Sequence, residues 1–301
     1  MPEAAQSRFI LITGGAGQVG LELLAADWPD HIALHAPTRA ELDLGDAESL
    51  ARLFSSRDYA AVINSGAYTA VDRAESEVAT AFSANAMGPA LLADATRATG
   101  IPLIHVSTDY VFNGAGAGEY EEDEAVDPLG VYGASKLAGE LAVLRGNPRS
   151  AVLRTAWVVS PHRANFIKTM LRLATERPSL RVVNDQHGSP TSARDIADAL
   201  KTITLRMIED DAAPRGVFHF VNAGGTTWAG LAREVLALSG ARGGPTAEVE
   251  NITTAEYPTP ARRPANSRLS TLRIQREYGV VPRPWQAAVS EIVDQLSARE
   301  S

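Results

Sequence analysis

A tyrosine and a lysine four residues apart mark the middle of this chain. Tyr132 and Lys136 bound the segment Tyr-Gly-Ala-Ser-Lys. On a helix, residues i and i+4 share a face, so we expect the lysine charge to favour the phenolate form of the tyrosine. A free tyrosine has a pKa of about 10, and a neighbouring cation lowers it towards the range useful for proton transfer. The pair predicts carbonyl reduction with Tyr132 as the proton donor, although the same spacing also occurs in ordinary surface helices.

Upstream, three glycines recur at every third position after a short apolar run. Residues 8–13 predict a buried strand, and Gly14, Gly17 and Gly20 follow it, before an amphipathic helix at 21–28. Glycines allow a tight turn and close backbone approach, and the N-terminus of the next helix attracts a pyrophosphate. The order of strand, glycine loop and helix predicts a dinucleotide site rather than a simple tight turn.

Composition narrows the class of protein. The chain has 301 residues, of which 45% are hydrophobic, and this is enough for a sizeable core. No apolar run reaches the roughly 18 residues of a membrane span, and the first residues lack the features of a signal peptide, so we expect a cytoplasmic protein. The net charge of −8, without a basic cluster, argues against nucleic-acid binding. The absence of cysteine excludes disulfides and thiol chemistry.

Short β-rich runs alternate with amphipathic stretches along the first half. This alternation predicts a doubly wound parallel sheet of the Rossmann type. The predicted strands after the first are 32–34, 60–64, 103–107 and 151–155, and the clearest helices are 46–55 and 79–99. Later prolines and glycines divide the chain into shorter elements. We expect a dinucleotide domain at 1–157 and a smaller α/β substrate domain at 158–301, with some of its segments returning to the sheet.

The end of the second predicted strand bears on the cofactor. NAD sites usually carry an Asp or Glu there, which holds the ribose hydroxyls and would repel a 2′-phosphate. Here the segment 34–39 has no acid and ends in Arg39. It therefore favours NADPH, while NADH stays open because Arg39 is also explicable as a solvated surface cation.

Hydroxyl and carboxyl groups follow the fourth predicted strand. Thr108 and Asp109 lie at the carboxyl edge, where open α/β sheets bind their ligands. Thr108 would orient and polarise a carbonyl group while Tyr132 protonates its oxygen. Asp109 would accept hydrogen bonds from substrate hydroxyls. The alternative is that both residues cap a loop or a helix.

Together these motifs resemble the extended short-chain dehydrogenase/reductases, and more closely the dTDP-4-dehydrorhamnose reductase family. The glycine loop is similar to that of the larger family, and Thr108, Tyr132 and Lys136 are similar to its catalytic triad. Segments typical of the narrower family span most of the chain, at 17–20, 64–72, 107–112, 154–157, 186–191 and 262–267.

The resemblance implies NAD(P)H-dependent reduction of the C4 ketone of dTDP-4-dehydro-L-rhamnose to dTDP-L-rhamnose. It also implies roles for individual residues. The pyrophosphate is lined by Gly17, Gln18 and Val19, in the loop that Gly14 and Gly20 complete. The adenine is flanked by Asp43 and Leu44, and the cofactor is lined further along by Ala67, Tyr68 and Thr69. Tyr132 and Lys136 also contact the cofactor, whereas the sugar nucleotide is contacted by Thr108, Asp109 and Trp157.

The resemblance also bears on metal. Some members of the group are associated with Mg²⁺ held by acidic side chains at a subunit contact. Glu22 matches one such position, but Arg194 stands where another acid is expected, and hard cations need several oxygen ligands. We therefore predict no magnesium site, and a homodimer stays open.

Other interpretations stay open. The same triad would reduce another 4-keto deoxysugar nucleotide, because the C-terminal pocket selects the ketone. The non-catalytic regulatory subunit of methionine adenosyltransferase also resembles this reductase group and binds a dinucleotide. A regulatory role therefore stays open, although retention of the triad weighs against it. Asn85 is interpreted as a polar helix contact, and Arg262 and Arg263 as diphosphate donors or solvated cations, so all three lie outside the predicted site.

Overall fold

The computed structural model describes residues 8–300. Its strands are β1 (Arg8–Thr13), β2 (Ile32–His35), β3 (Tyr59–Asn64), β4 (Leu103–Thr108), β5 (Ser150–Thr155), β6 (Val158–Val159), β7 (Ser179–Val183), β8 (His187–Gly188), β9 (Thr191–Ser192), β10 (Gly216–His219), β11 (Thr226–Thr227) and β12 (Glu248–Ile252).

Helices flank and follow these strands. They are α1 (Gln18–Ala25), α2 (Ala47–Ser56), α3 (Val71–Ala74), α4 (Val78–Phe82), α5 (Gly88–Thr99), α6 (Val131–Gly146), α7 (Phe166–Glu176), α8 (Ala193–Glu209), α9 (Trp228–Ala241), α10 (Leu272–Tyr278) and α11 (Trp285–Glu300). A π-helical turn at Ser83–Met87 joins α4 to α5, and 3₁₀ turns lie at Asp109–Val111 and Thr254–Glu256.

Six strands form one parallel sheet in the order β10-β5-β4-β3-β1-β2. The predicted doubly wound, Rossmann-type architecture is therefore confirmed. The sixth strand, β10, lies beyond residue 157 and pairs with β5. Because the strands are parallel, the carboxyl ends of β1, β3, β4 and β5 meet at one edge, where such sheets bind ligands.

Apolar side chains cover both faces of this sheet. On one face, α1 and α8 enclose a cluster that includes the fully buried Ile12, Leu23 and Ile203. On the other face, α2, α5 and α6 enclose a second cluster that includes Leu92 and Val143. Burying one such side chain contributes about 1.5–3 kcal/mol, so the two layers hold the strand ends firmly.

A third apolar cluster forms between α7, α9, α11 and β7. These elements all follow residue 157, and the parallel pair of β7 and β12 lies beside them. This part of the chain therefore has a core of its own. Within residues 8–300, no helix combines the length and the apolar character that crossing a bilayer requires.

The long helix predicted at 79–99 is interrupted. It forms α4, the π-helical turn and α5, and such turns insert one residue into a helix. Helix α6 packs tightly against the turn, since a Cβ atom on Gly139 would lie 2.0 Å from the Asn85 carbonyl oxygen. The helix predicted at 21–28 is also displaced, because α1 covers Gln18–Ala25.

Replacing Gly139 with Ala should destabilise the fold by about 1–3 kcal/mol, the cost typical of overpacking. Alanine is the better helix former by about 1 kcal/mol, so a net loss would mean that the close approach of α6 decides the outcome. Urea unfolding measures the difference. Gly118→Ala is the control, because a Cβ atom there meets nothing within 4 Å. Equal free energies of unfolding for the two variants would contradict the prediction.

Candidate active site

The glycine loop turns sharply between β1 and α1. Gly14 has a φ of +73°, and a Cβ atom on it would lie 2.5 Å from the Gly66 nitrogen. A Cβ atom on Gly20 would lie 2.2 Å from the Gly14 carbonyl oxygen. Helix α1 begins after Gly17 with no side-chain cap and no acidic residue in its first turn. Its amide groups are therefore available to an anion.

Two further loop residues predicted at the pyrophosphate have different environments. The Gln18 side-chain oxygen accepts hydrogen bonds from Ser160 Oγ at 2.8 Å and Asn165 Nδ2 at 3.0 Å. Val19 packs its side chain against the core beneath the sheet. Gln18 thus ties the loop to the segment before α7, and Val19 contributes its main chain to the loop.

The turn after β2 exposes Arg39. Glu41 in the same turn accepts a hydrogen bond from the Thr38 amide at 2.7 Å, so its carboxylate is engaged by the backbone. Asp43 accepts from the Gly45 amide at 2.9 Å. Leu44 lies close to Gly66, 3.2 Å from the position of a Cβ atom there. Leu44 thus lies beside Gly66, which in turn closely approaches Gly14 of the glycine loop.

The segment of Ala67, Tyr68 and Thr69 follows β3 and is held by Asn85. The Tyr68 amide donates to Asn85 Oδ1 at 2.8 Å, and Asn85 Nδ2 donates to the Tyr68 carbonyl at 3.0 Å. The same amide nitrogen donates to Ser135 Oγ at 3.0 Å, on helix α6. Asn85 is fully buried. It therefore joins the predicted cofactor segment to the helix that carries Tyr132 and Lys136, a role that the sequence interpretation missed.

The Thr108 and Tyr132 hydroxyl groups come together at the carboxyl end of β4. The two side chains are close enough for the Thr108 hydroxyl to lower the pKa of Tyr132. Thr108 Oγ1 also donates to Asp109 Oδ1 at 2.9 Å and accepts from the Tyr110 amide at 3.2 Å. The capping alternative thus describes part of the role of Thr108, because it does cap the 3₁₀ turn. The two hydroxyls nevertheless stand side by side at the ligand edge of the sheet.

The lowered pKa expected for Tyr132 is wrong, because its pKa is raised instead. Burial raises the pKa of Tyr132, and the nearby Thr108 hydroxyl offsets this rise only in part. The Lys136 ammonium group donates instead to the Val106 carbonyl at 2.7 Å and lies 3.5 Å from His105 Nε2. Burial also lowers the pKa of Lys136 to about 8. Desolvation therefore dominates the pKa of both groups.

Asp109 is almost completely buried, with 3% of its surface exposed. Its Oδ2 atom has no hydrogen-bond partner among the described residues, although the Ser267 side chain is close enough to lower the pKa of the carboxyl group. Burial raises the pKa of Asp109 from its ordinary value of 3.8 to about 6. Buried polar atoms are rarely left unpaired, so Oδ2 is suited to a ligand hydroxyl group.

Trp157 lies where the chain leaves β5, in the left-handed region with a φ of +49°. Its indole ring stacks on Trp228 with the ring centroids 3.7 Å apart. A Cβ atom on Gly188 would lie 2.4 Å from the indole ring. Trp228 is absent from the predicted site, and nothing in its local sequence signals the stack.

The two C-terminal arginines differ in environment. Arg263 donates to the Tyr110 hydroxyl at 3.0 Å and to Asp72 Oδ2 at 2.8 Å. Tyr110 in turn packs edge-on against Tyr132, with ring centroids 5.4 Å apart. Arg262 is exposed. Arg263 thus supports the ring that packs on Tyr132, while Arg262 is open to solvent.

The two positions considered for magnesium lie close to other charged groups. Glu22 Oε1 is 3.2 Å from His162 Nε2. Arg194 pairs with Glu291, which also contacts Arg283 at 2.8 Å. Within the described part of the chain, no group of three or more His, Cys, Asp or Glu side chains could hold a metal ion. The lack of a magnesium site stays a prediction.

This combination of a parallel sheet, a glycine loop and a Thr-Tyr-Lys set is that of the extended short-chain dehydrogenase/reductases. The family model described as the RmlD substrate binding domain matches residues 8–298. A dTDP-4-dehydrorhamnose reductase of Sinorhizobium fredii is 43% identical over 287 residues, which cover 94% of this chain and 96% of that protein. The chain belongs to the dTDP-4-dehydrorhamnose reductase family, a family of oxidoreductases.

Solved structures agree with this assignment. A dTDP-4-dehydrorhamnose reductase from Clostridium acetobutylicum is 34% identical, with a TM-score of 0.89 and coverage of 96% of this chain and 99% of that one. The reductase from Bacillus anthracis, solved in complex with NADP, is 29% identical, with a TM-score of 0.88 and coverage of 96% and 99%. The family resemblance inferred from the motifs is confirmed.

The raised pKa of Asp109 predicts a pH-dependent stability. A carboxyl group whose pKa is higher in the folded state costs stability once it ionises, so its cost is small below pH 4 and complete above pH 6. A shift from 3.8 to about 6 corresponds to about 3 kcal/mol at most. Asp109→Asn, which carries no charge, should therefore be more stable than the parent chain at pH 8 by about 1–3 kcal/mol.

Denaturant unfolding between pH 4 and pH 8 measures this difference. The advantage of the Asp109→Asn variant should shrink steadily as the pH falls. Asp123→Asn changes an exposed carboxylate and serves as the control. A gain that does not change with pH would mean that the substitution acts through packing rather than through the buried charge.

Proposed function

We propose that this chain reduces the C4 ketone of dTDP-4-dehydro-L-rhamnose to dTDP-L-rhamnose, with NADPH as the reductant. The observation that carries the proposal is the placement of Thr108 and Tyr132 next to each other, at the sheet edge that also bears the glycine loop. Paired donors in a largely dry site suit a carbonyl oxygen that gains negative charge. Relatives that bear this enzyme name match nearly the whole chain, which supports the identity of the sugar nucleotide.

The glycine loop supports binding of the dinucleotide. Its close backbone approaches leave no room for side chains at Gly14 and Gly20, and the uncapped start of α1 would hold the pyrophosphate. NADPH supplies the hydride that the ketone carbon accepts. Arg39 would pair with the 2′-phosphate. The NADP bound by the Bacillus anthracis relative favours NADPH over NADH.

Tyr132 would donate a proton to the ketone oxygen as that oxygen becomes an alkoxide. Burial raises the pKa of Tyr132, so the phenol keeps its proton at neutral pH and is a weak acid. The alkoxide that forms on the substrate is a strong base and would take that proton. Thr108 would hold the carbonyl oxygen in line with that proton. Lys136 has a pKa of about 8, so it can release and regain a proton near neutral pH.

The sugar would lie between the end of β4 and Trp157. The unpaired Oδ2 atom of Asp109 would accept a hydrogen bond from a sugar hydroxyl group. Trp157, supported from behind by Trp228, would offer an apolar face to the methyl group of a deoxysugar. Cytoplasmic location stays a prediction, and a homodimer stays open.

The direct test mixes the purified protein with NADPH and dTDP-4-dehydrorhamnose. Nicotinamide absorbance follows the reductant, and chromatography with mass spectrometry identifies the sugar. Oxidation of NADPH together with formation of dTDP-L-rhamnose supports the proposal. Turnover with a different keto sugar alone would reject this substrate, and NADPH binding without turnover of any keto sugar would favour a regulatory role.

Tyr132→Phe removes the proposed proton donor and little else. The ring keeps its contact with Tyr110, so NADPH should bind normally, whereas kcat should fall by at least about a hundredfold, as expected when a general acid is lost. Stopped-flow absorbance measures kcat, and fluorescence titration measures NADPH affinity. Tyr257→Phe, at a side chain that is 60% exposed, is the control. A kcat within a few-fold of the parent value would reject Tyr132 as the donor.

A further inference from the structure

The segment between β6 and α7 lies against the glycine loop. Ser160 and Asn165 both bind the Gln18 side chain, and Asn165 also caps the start of α7 through the Lys168 amide. Between them, Arg163 Nε donates to the Ala16 carbonyl at 2.7 Å. Ala16 lies inside the glycine loop itself. A chain segment remote in sequence therefore brings a guanidinium group to the edge of the dinucleotide site.

The backbone of Arg163 is strained. Its φ of +53° is in the left-handed region, which is unfavourable for a residue with a side chain relative to glycine. Glycine would adopt this conformation more readily. The cost is consistent with a side chain that is retained for what it contacts, because strained residues of this kind cluster at ligand sites.

The Arg163 guanidinium group has hydrogen-bond donors that contact no described residue. Nε is its one hydrogen-bonding atom among the described residues, and the side chain is exposed. Its two terminal nitrogens can therefore donate to an anion in the paired geometry that arginine uses for phosphate groups. The only acid on the neighbouring helix α1, Glu22, is paired with His162 at 3.2 Å. The local charge at the loop therefore favours an anionic ligand.

We propose that Arg163 binds the diphosphate of the dinucleotide and closes the outer side of the glycine loop over it. The inference rests on the proposed function, because it takes the glycine loop as the cofactor site. Nε fixes the side chain to Ala16, and the terminal nitrogens bind the phosphate oxygens opposite the amide groups of α1. Arg163 is thus a cofactor-binding residue supplied by the part of the chain beyond residue 157.

Dinucleotide affinity without any sugar tests the proposal. Arg163→Gly removes the side chain and also relieves the backbone, so its melting temperature should equal or exceed that of the parent chain. Fluorescence titration with NADPH and with NADH should give about tenfold weaker binding of both, as expected for the loss of a charge-assisted contact. Both cofactors should be affected because both carry the diphosphate.

Two further variants calibrate this result. Arg172→Ala removes an exposed arginine of α7 that pairs with Glu176, and it should leave both affinities unchanged. Arg39→Ala should weaken NADPH alone, which is the signature of a lost 2′-phosphate contact. For Arg163→Gly, unchanged affinities, or a loss confined to NADPH, would overturn the diphosphate assignment. If the parent chain binds neither dinucleotide, the proposed function fails together with this inference.

Discussion

A line of buried hydrogen bonds crosses the sheet beneath the site, and the position of Lys136 depends on it. Thr13 Oγ1 at the end of β1 donates to Asn64 Oδ1 at 2.6 Å, and Asn64 Nδ2 lies 2.9 Å from His105 Nδ1. His105 Nε2 then lies 3.5 Å from Lys136 Nζ. Burial and the Lys136 charge both lower the pKa of His105 well below its usual range. Because the Asn64 amide nitrogen can only donate, a neutral His105 accepts at Nδ1 and carries its proton on Nε2. The polar line thus runs from the glycine-loop strand to the imidazole that faces Lys136, whose ammonium group is bound by the Val106 carbonyl.

Desolvation sets the charges of the groups at this edge. Burial raises the pKa of Tyr132 and Asp109 and lowers that of Lys136. Each change favours the uncharged form, as expected where water is scarce. A ligand that brings hydrogen bonds or opposite charge would recover part of this cost. The same burial that makes the site expensive to maintain therefore makes it responsive to what binds there.

Local patterns were sufficient to predict the sheet and the glycine loop. The alternation of short apolar runs and amphipathic stretches identified β1 to β5, and the glycine spacing identified a turn whose backbone approaches allow no side chain. Both are properties of neighbouring residues. The return of β10 to the sheet beside β5 could be expected only in general terms, because no local signal specifies which later segment pairs with it.

Contacts between distant residues explain what the sequence did not reveal. The π-helical turn around Asn85 depends on the close approach of Gly139, and the stacking of Trp157 depends on Trp228. The sign of the Tyr132 shift was missed for a related reason. Helical spacing predicted proximity to Lys136, but it carries no information on how deeply the phenol is buried, and burial is the larger effect.

The segment that leaves β5 shows how the two parts of the chain cooperate. Trp157 and Arg163 are the only residues other than glycine with positive φ in the described part of the chain, and both lie in this one connection. The stack on Trp228 holds the first, and the bond to Ala16 holds the second. Strain persists only where surrounding contacts determine the conformation. The connection is therefore fixed at both ends, by the later core near Trp157 and by the glycine loop near Arg163. Loss of either contact should shift the position of the sugar side of the cleft relative to the dinucleotide side, because this one short segment contacts both.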